Sequence, residues 1–475
     1  MKTSLVSLLT CFAALACAAH AFGQTSESGR RSTDVIRIVD DGGVRHIALN
    51  IVVVDGDRRL SLDEYWSQTI RALFTFADRN ADGVLTDDEA LLLPSARAIR
   101  MSLGNGFAPP IAPLRSVAEI TDVRTPRCSP EQLEQYYRRN GVGRAAMGVA
   151  ALPHTSSLTA ALVAAIDVDR DGVVSERELG QAETRLKRID ANDDELIGVE
   201  ELITDAAYPG RWAVASLSPT TPVDLAPGRS GRFTLERLEW QADAAAAPAE
   251  LLPWEIELGD DLRAAPLPFS SSSRYESWTV ASSLPSLQER LREEIAAAEA
   301  DPPVESQGPR NRERRPSRAW LTPLVDRDGD QQASPEEIHQ WLALQQQLTR
   351  GQALISLYSG GGLFELLDAD HDAALSVREL RSAWQTLSDA NCTQDNCVEI
   401  ARIPNIVMVV VSQGYPRSLA CTSKIDLAWF LKMDRNSDGD VSRREFTGSP
   451  AAFARLDQNQ DGLISAPEAA GAKQE

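Results

Sequence analysis

Between Asp34 and Val54 two β-branched runs, VIRIV and VRHIALNIVVV, flank Asp40-Asp41-Gly42-Gly43, and this pattern predicts a hairpin. The period then changes. In EYWSQTIRALFTFA the apolar residues recur at helical spacing, and Leu91, Leu92 and Leu93 continue to Pro94 before a Gly- and Pro-rich stretch over 104–113. Pro130 to Arg139 and Ser156 to Ile166 read as further helices. From Trp212 to about Arg318 the runs RFTLERLEW, WEIEL and RYESWTV have strand character, followed by a helix near Leu284 to Glu299 and a polar linker containing RNRERRPSR. Further on, Gly360-Gly361-Gly362 reads as a flexible approach to the helix GLFELL, and IVMVVV as a buried strand or buried helix segment.

The polar positions carry a sharper signal. Asp434 to Glu468 reads DRNSDGDVSRRE, FTGSPAAFARL and DQNQDGLISAPE, which contains two twelve-residue frames. Side-chain oxygens stand at positions 1, 3 and 5 (Asp434, Asn436, Asp438; Asp457, Asn459, Asp461), glycine at 6 (Gly439, Gly462) and glutamate at 12 (Glu445, Glu468). Asp440 and Leu463, at position 7, offer a backbone carbonyl. Calcium takes six to eight oxygens at about 2.3–2.6 Å, two of them from a bidentate glutamate, and the glycine permits the reversal that brings position 12 round to the ion. Five or six fixed positions match by chance in about one frame in a million. The stretch resembles the EF-hand family, and the resemblance recurs along the chain.

Counting from the N-terminus, the resemblance implies these calcium ligands: Asp78, Asn80, Asp82, Val84 and Glu89 in frame two; Asp167, Asp169, Asp171, Val173 and Glu178 in frame three; Asp190, Asn192, Asp194 and Glu201 in frame four. Frame five offers Asp326, Asp328, Asp330 and Glu337, and frame six Asp368, Asp370, Asp372 and Glu379; frames seven and eight are the C-terminal two. Glu195, Gln331 and Ala373 replace the glycine in frames four, five and six, at a cost on the order of 1–2 kcal/mol for a left-handed residue. Frame one is damaged: with Leu60, Ser61 and Glu64 at positions 8, 9 and 12, Val53 falls at position 1 and Arg58 at 6, so this hand is expected to be structural. Position 8, which bridges paired loops, is apolar throughout: Leu60, Leu85, Val174, Ile197, Ala333, Leu375, Val441 and Ile464. Phe74, Phe364, Phe430 and Phe453 precede position 1 by four and are expected in the core, while His371, at position 4, is expected to point to solvent.

The fold expected is mainly α: four EF-hand pairs with a small β-rich insert between the second and third. The implied division is a signal peptide over 1–23, pair 1 with its hairpin over 34–103, pair 2 over 129–210 and the insert with its helix over 211–299. A linker over 300–318, pair 3 over 319–390, a cysteine-containing connector over 391–422 and pair 4 over 423–475 complete it.

Composition adds compartment and partners. A net charge of −21 argues against nucleic acid, whose binding needs clustered Lys and Arg. The N-terminus reads as an export leader: Lys2, an apolar run from Leu5 to Ala19 too short to span a membrane, then Ala19-His20-Ala21, with cleavage after Ala21. A lipoprotein at Cys17 is the second reading, since Ala14 stands where leucine is usual. Cys128, Cys392, Cys397 and Cys421 remain, with Cys392 and Cys397 the first choice for a disulfide.

These features point to an exported calcium-binding protein acting as a binding or scaffold module, its protein or cell-envelope partner unidentified. A calcium switch exposing a partner surface ranks lower, because Met101, Met147, Met408 and Met433 are scattered. An enzyme, such as a hydrolase with an unrecognised site, ranks third: the chain has no GxSxG or HExxH, and His46, His154, His339 and His371 form no constellation.

Overall fold

The structure is a computed structural model, and it describes residues 34–40, 42–101, 114–121, 127–204, 206, 208, 221–222, 227–230, 233–239, 251–259, 262–267, 274–279, 325–332, 334–414 and 427–471. The expected leader, the expected helix near 284–299, the arginines of the expected linker and Cys421 lie outside them.

Two strands, β1 (Asp34–Asp40) and β2 (Gly43–Asp55), form the hairpin expected from their alternation. β2 then turns at Gly56 and Asp57 and returns as β3 (Arg58–Ser61), pairing Val53 with Leu60. Frame one is therefore no helix-loop-helix. Its Val/Ile alternation makes a pleated strand, and Ser61 and Glu64 form instead the capping box that starts the helix Leu62–Ala77, with the Ser61 N–H donating to Glu64 Oε2 at 3.0 Å.

Further along come β4 (Ala146–Ala151), the two-residue β5 (Ile197–Gly198), β6 (Thr221–Pro222), β7 (Gly228–Ser230), β8 (Phe233–Glu239), β9 (Leu252–Leu258), β10 (Arg263–Ala264) and β11 (Arg274–Thr279). After the helix Pro335–Arg350 the chain adds β12 (Leu354–Gly360), β13 (Ala374–Leu375), the small hairpin β14 (Thr393–Gln394) and β15 (Cys397–Val398), β16 (Ile406–Ser412), β17 (Asp440–Ser442) and β18 (Leu463–Ser465). A seven-stranded sheet runs β10-β9-β2-β1-β8-β7 with β3 beside β2, and a five-stranded sheet runs β11-β16-β12-β4-β6.

The expectation of a mainly α protein is thus corrected. The segment read as a separate β insert supplies β8 and β9 to the sheet begun at the N-terminus, and β11 to the sheet centred on β16. IVMVVV is a strand. It reads as an unbroken apolar run because both faces are covered, Val407, Val409 and Val411 by a core shared with the helix Leu62–Ala77 and the large sheet, Ile406, Met408 and Val410 by a core built from helix-loop units.

Gly360, Gly361 and Gly362 serve close packing, not flexibility: a Cβ on Gly361 would stand 2.4 Å from the Pro404 carbonyl oxygen, and one on Gly362 2.5 Å from Thr159 Oγ1. The disulfide expectation also fails. Across the β14–β15 hairpin Gln394 faces Cys397, and the Glu399 N–H donates to the Cys392 carbonyl at 2.7 Å, so the two cysteines are diagonal neighbours. Such pairs lie about 7–8 Å apart at Cα, beyond the reach of a disulfide, and Cys128, Cys392 and Cys397 are free thiols.

Because a main-chain oxygen cannot swing aside as a side chain can, Gly361→Ala is expected to lower the unfolding free energy by about 1–3 kcal/mol. Urea denaturation of the full chain measures it; an unchanged midpoint would show that the 404–405 backbone yields.

Candidate metal centres

The seven frames from Asp78 onward fold into one loop design. In loops two, three, six, seven and eight the incoming helix ends at position 1: the Asp78 N–H donates to the Phe74 carbonyl at 2.8 Å, and Asp368, Asp434 and Asp457 repeat the bond to Phe364, Phe430 and Phe453. Those four phenylalanines are buried, as expected.

Three clasps then shape every loop. The position 12 glutamates Glu89, Glu178, Glu201, Glu337, Glu379, Glu445 and Glu468 each accept the position 2 N–H on one carboxylate oxygen and the position 9 N–H on the other, at 2.6–3.1 Å. Position 1 (Asp78, Asp167, Asp190, Asp326, Asp368, Asp434, Asp457) accepts the position 6 N–H at 3.0–3.2 Å. Position 5 (Asp82, Asp171, Asp194, Asp330, Asp372, Asp438, Asp461) accepts the N–H of Val84, Val173, Leu196, Gln332, Ala374, Asp440 and Leu463 at 2.7–3.0 Å. Asn80, Asn192, Asn436 and Asn459 accept the position 5 N–H through Oδ1.

Position 6 is left-handed in all seven, with φ between 63° and 85°, including Glu195, Gln331 and Ala373. Position 4 is left-handed too (Ala81, Arg170, Asp193, Gly329, His371, Ser437, Gln460), which sequence reasoning missed. The signal was present in frame five, whose glycine stands at position 4 instead of 6.

The donor set is all oxygen. Carboxylate oxygens of Asp167, Asp169 and Glu178, of Asp326, Asp328 and Asp330, and of Asp368, Asp370 and Glu379 gather within 4.8 Å of one another, and Asp457 Oδ1 is buried without a hydrogen-bond partner. Such a set fits a hard cation, calcium before transition metals, which favour nitrogen and sulfur.

Protonation divides the loops. At Glu178 the N–H groups of Ser175 and Val168 hold the carboxyl down at about 2. In loops six and seven desolvation prevails: burial and then the neighbouring carboxylates push Asp368 well above the usual range and raise Glu379 and Asp434, and Asp438 is pushed up to about 7. Asp440 does not face its own loop. Arg378 holds it through Nε–Oδ2 at 2.5 Å and Nη2–Oδ1 at 2.7 Å, leaving the position 7 carbonyl as its contribution. His371 is buried rather than solvated, with Nε2 2.5 Å from Glu276 Oε2 on β11.

Pairing departs furthest from expectation. Val441 pairs with Ile464, as the tandem frames imply, but Ile197 of loop four pairs with Leu375 of loop six. Leu85 of loop two exchanges bonds of 2.9 and 3.0 Å with Cys128, and loop three bonds the β14–β15 hairpin, Val398 N–H to the Val174 carbonyl at 2.8 Å. Loop five packs on the incoming helix of loop two, through Val325 beside Phe76 and Arg327 Nη2 donating to the Thr75 carbonyl at 3.1 Å. Leu60 bridges no loop, and Ala333 lies outside the described residues.

Comparison with known proteins agrees with part of this. An EF-hand family model matches residues 164–181, 425–447 and 451–468, the segments of loops three, seven and eight, and supports an EF-hand family with calcium as its ligand. No curated protein and no solved structure matches the chain.

The buried carboxyls predict a pH dependence. Metal-free and folded, Asp438 keeps its proton to about pH 7, whereas an unfolded chain releases it near 4. The folded state therefore binds more protons between those values, and the metal-free C-terminal loops lose stability as pH rises from about 4 through about 7. In chelator, hydrogen exchange over 440–465 should be slower at pH 5 than at pH 8 after correction for intrinsic rates, and Asp438→Asn should flatten the trend; exchange in the wild type that does not speed up between these pH values would mean Asp438 is ionised throughout.

Proposed function

We propose that the protein is an exported calcium-binding protein in which loops two to eight hold ions, and that it acts as a binding or scaffold module, not as a catalyst. The observation that carries the reading is the repetition of the same three clasps in seven loops, including the three without a position 6 glycine. Bound calcium would supply positive charge and six to eight coordination sites. The side-chain oxygens of positions 1, 3 and 5, the position 7 carbonyl and the closing glutamate are the groups that would hold it. A cation among like-charged oxygens held this close adds stability that the backbone N–H clasps alone do not supply, so binding and folding are linked.

A structural ion fits better than a switch. Phe430, Phe453, Val441 and Ile464 are packed against one another in a buried cluster, with Trp429, Met433 and Phe446 on its margin, and Met433 is the one methionine there among the described residues. Extracellular calcium modules work at about 10⁻⁴–10⁻³ M, and the export reading rests on the leader pattern, Lys2 through Ala21. Among the described residues no helix is long and apolar enough to cross a membrane.

Native mass spectrometry of the calcium-loaded chain tests the reading. Seven ions are expected, loops two to eight, and Glu89→Gln should remove one. Saturation at four ions would restrict binding to the loops with glycine at position 6. Relief of left-handed strain adds a second check: Glu195→Gly should tighten loop four by about tenfold, following the 1–2 kcal/mol cost of that conformation. An unchanged calcium titration would show that the cost is already offset.

A further inference from the structure

The C-terminal loops do not stand apart from the rest. Loops seven and eight, joined by β17–β18, are held against loops four and six, joined by β5–β13, by contacts between ligand-bearing segments. Asn436, the position 3 ligand of loop seven, is buried and donates its Nδ2 to the Asp194 carbonyl of loop four at 2.9 Å, across 242 residues of sequence. Its Oδ1 accepts the Asp438 N–H, and Nδ2 also donates to Asp438 Oδ2 at 3.1 Å. Beside it Arg444 donates from Nη1 to Asp193 Oδ1 at 2.9 Å and stands 3.5 Å from Glu195, the left-handed position 6 residue of loop four.

The other side of the contact is built from loop six. Arg378 immediately precedes Glu379, the residue that closes that loop. Its guanidinium takes Asp440 bidentately and also stands 3.3 Å from Asp461 Oδ2, the position 5 carboxylate of loop eight. Arg381, one turn on, bonds the Asp461 carbonyl and reaches Glu183 at 2.8 Å. Arg444 and Asp193 are largely exposed and contribute little alone. Asp440 is buried, and bidentate Arg–carboxylate bonds fix geometry as well as charge.

We propose that loops four, six, seven and eight form one coupled calcium-binding unit, with Asn436, Arg378 and Arg444 as the positioning residues that carry the coupling. The inference rests on the calcium reading of these loops. Ordering loop four fixes the Asp194 carbonyl, which orients the Asn436 amide toward loop seven; ordering loop six fixes the helix start bearing Arg378, which sets Asp461 in loop eight. Coupling of this kind is reciprocal, so each pair raises the other's affinity by the same factor.

Hydrogen exchange of the full-length protein, followed by mass spectrometry through a calcium titration, reads each loop by its own peptides. Glu201→Gln removes the closing carboxylate of loop four. It should raise the calcium midpoint for protection of 434–468 by about fivefold or more. Adding Arg378→Ala and Arg444→Ala, neither of which supplies a ligand oxygen to any loop, should shrink that cross-effect while calcium still protects both pairs. An unmoved 434–468 midpoint in Glu201→Gln, or a cross-effect undiminished by loss of both arginines, overturns the coupling. Should Glu201→Gln fail to fold, the double arginine variant alone decides: the midpoints of loops four and seven should separate, and coincident midpoints refute the proposal. Absence of calcium-dependent protection in every loop would refute the calcium reading beneath it.

Discussion

A strand with no exposed side chain has to be covered twice, and β16 meets that requirement by sitting between two cores. Its odd-numbered valines enter the core closed by the large sheet and the helix Leu62–Ala77, and its even-numbered residues enter the core formed by Leu158, Leu162, Phe364 and Leu375. Neighbouring strands follow: Ile355 and Leu357 of β12 face the first core and Tyr358 the second, as Met147 and Val149 of β4 do against Ala150. The five-stranded sheet is thus a partition, with the loop-two unit packed in the first core and the units of loops three, four and six in the second. Burying the seven residues of β16 fixes where the incoming helices of loops three and six lie.

What the sequence made legible was local, and what it concealed was not. Ligand spacing is set within twelve residues by the coordination needs of one ion, so Asp78 to Glu89 and its counterparts can be read off the chain. Partner choice is set by topology. An apolar residue at position 8 says that a loop will pair, and Leu85, Val174, Ile197 and Leu375 all satisfy that rule, yet nothing local distinguishes Cys128, Val398 or a distant loop as the partner. Frame one misled for a related reason. Leu60, Ser61 and Glu64 suit the end of a calcium loop and equally suit a strand followed by a capping box, and Val53 facing Leu60 in a hairpin decides between them. The strands were themselves visible, but β8, β9 and β11 took their meaning from β1, β2 and β16 far along the chain.

Electrostatics separate loops that look alike on paper. Glu178 and Glu379 occupy the same position with the same clasp, but one is held well below its usual range by backbone N–H groups and the other is raised by burial. Desolvation outweighs the clasp where a loop faces the inner core, as loop six does with Asp368 and Asp372 almost fully covered. Arg378 and Arg444 stand at position 11 of loops six and seven but pair with carboxylates of other loops, Asp440 and Asp193, so a charge count along the chain does not find those pairs.

The interleaved sheets also govern how the chain can reach its native state. β4 lies beside β12 in a parallel ladder, β11 beside β16, and β2 beside β9, so each sheet closes only when widely separated segments meet. Contacts of that range fold slowly, because the loops between partners must close before the pairing gives any return. During synthesis from the N-terminus, β4 emerges long before β12, and β11 before β16. Hydrophobic strand edges therefore wait through long stretches of translation, and the acidic loops, which form within a dozen residues, are the parts able to take shape first.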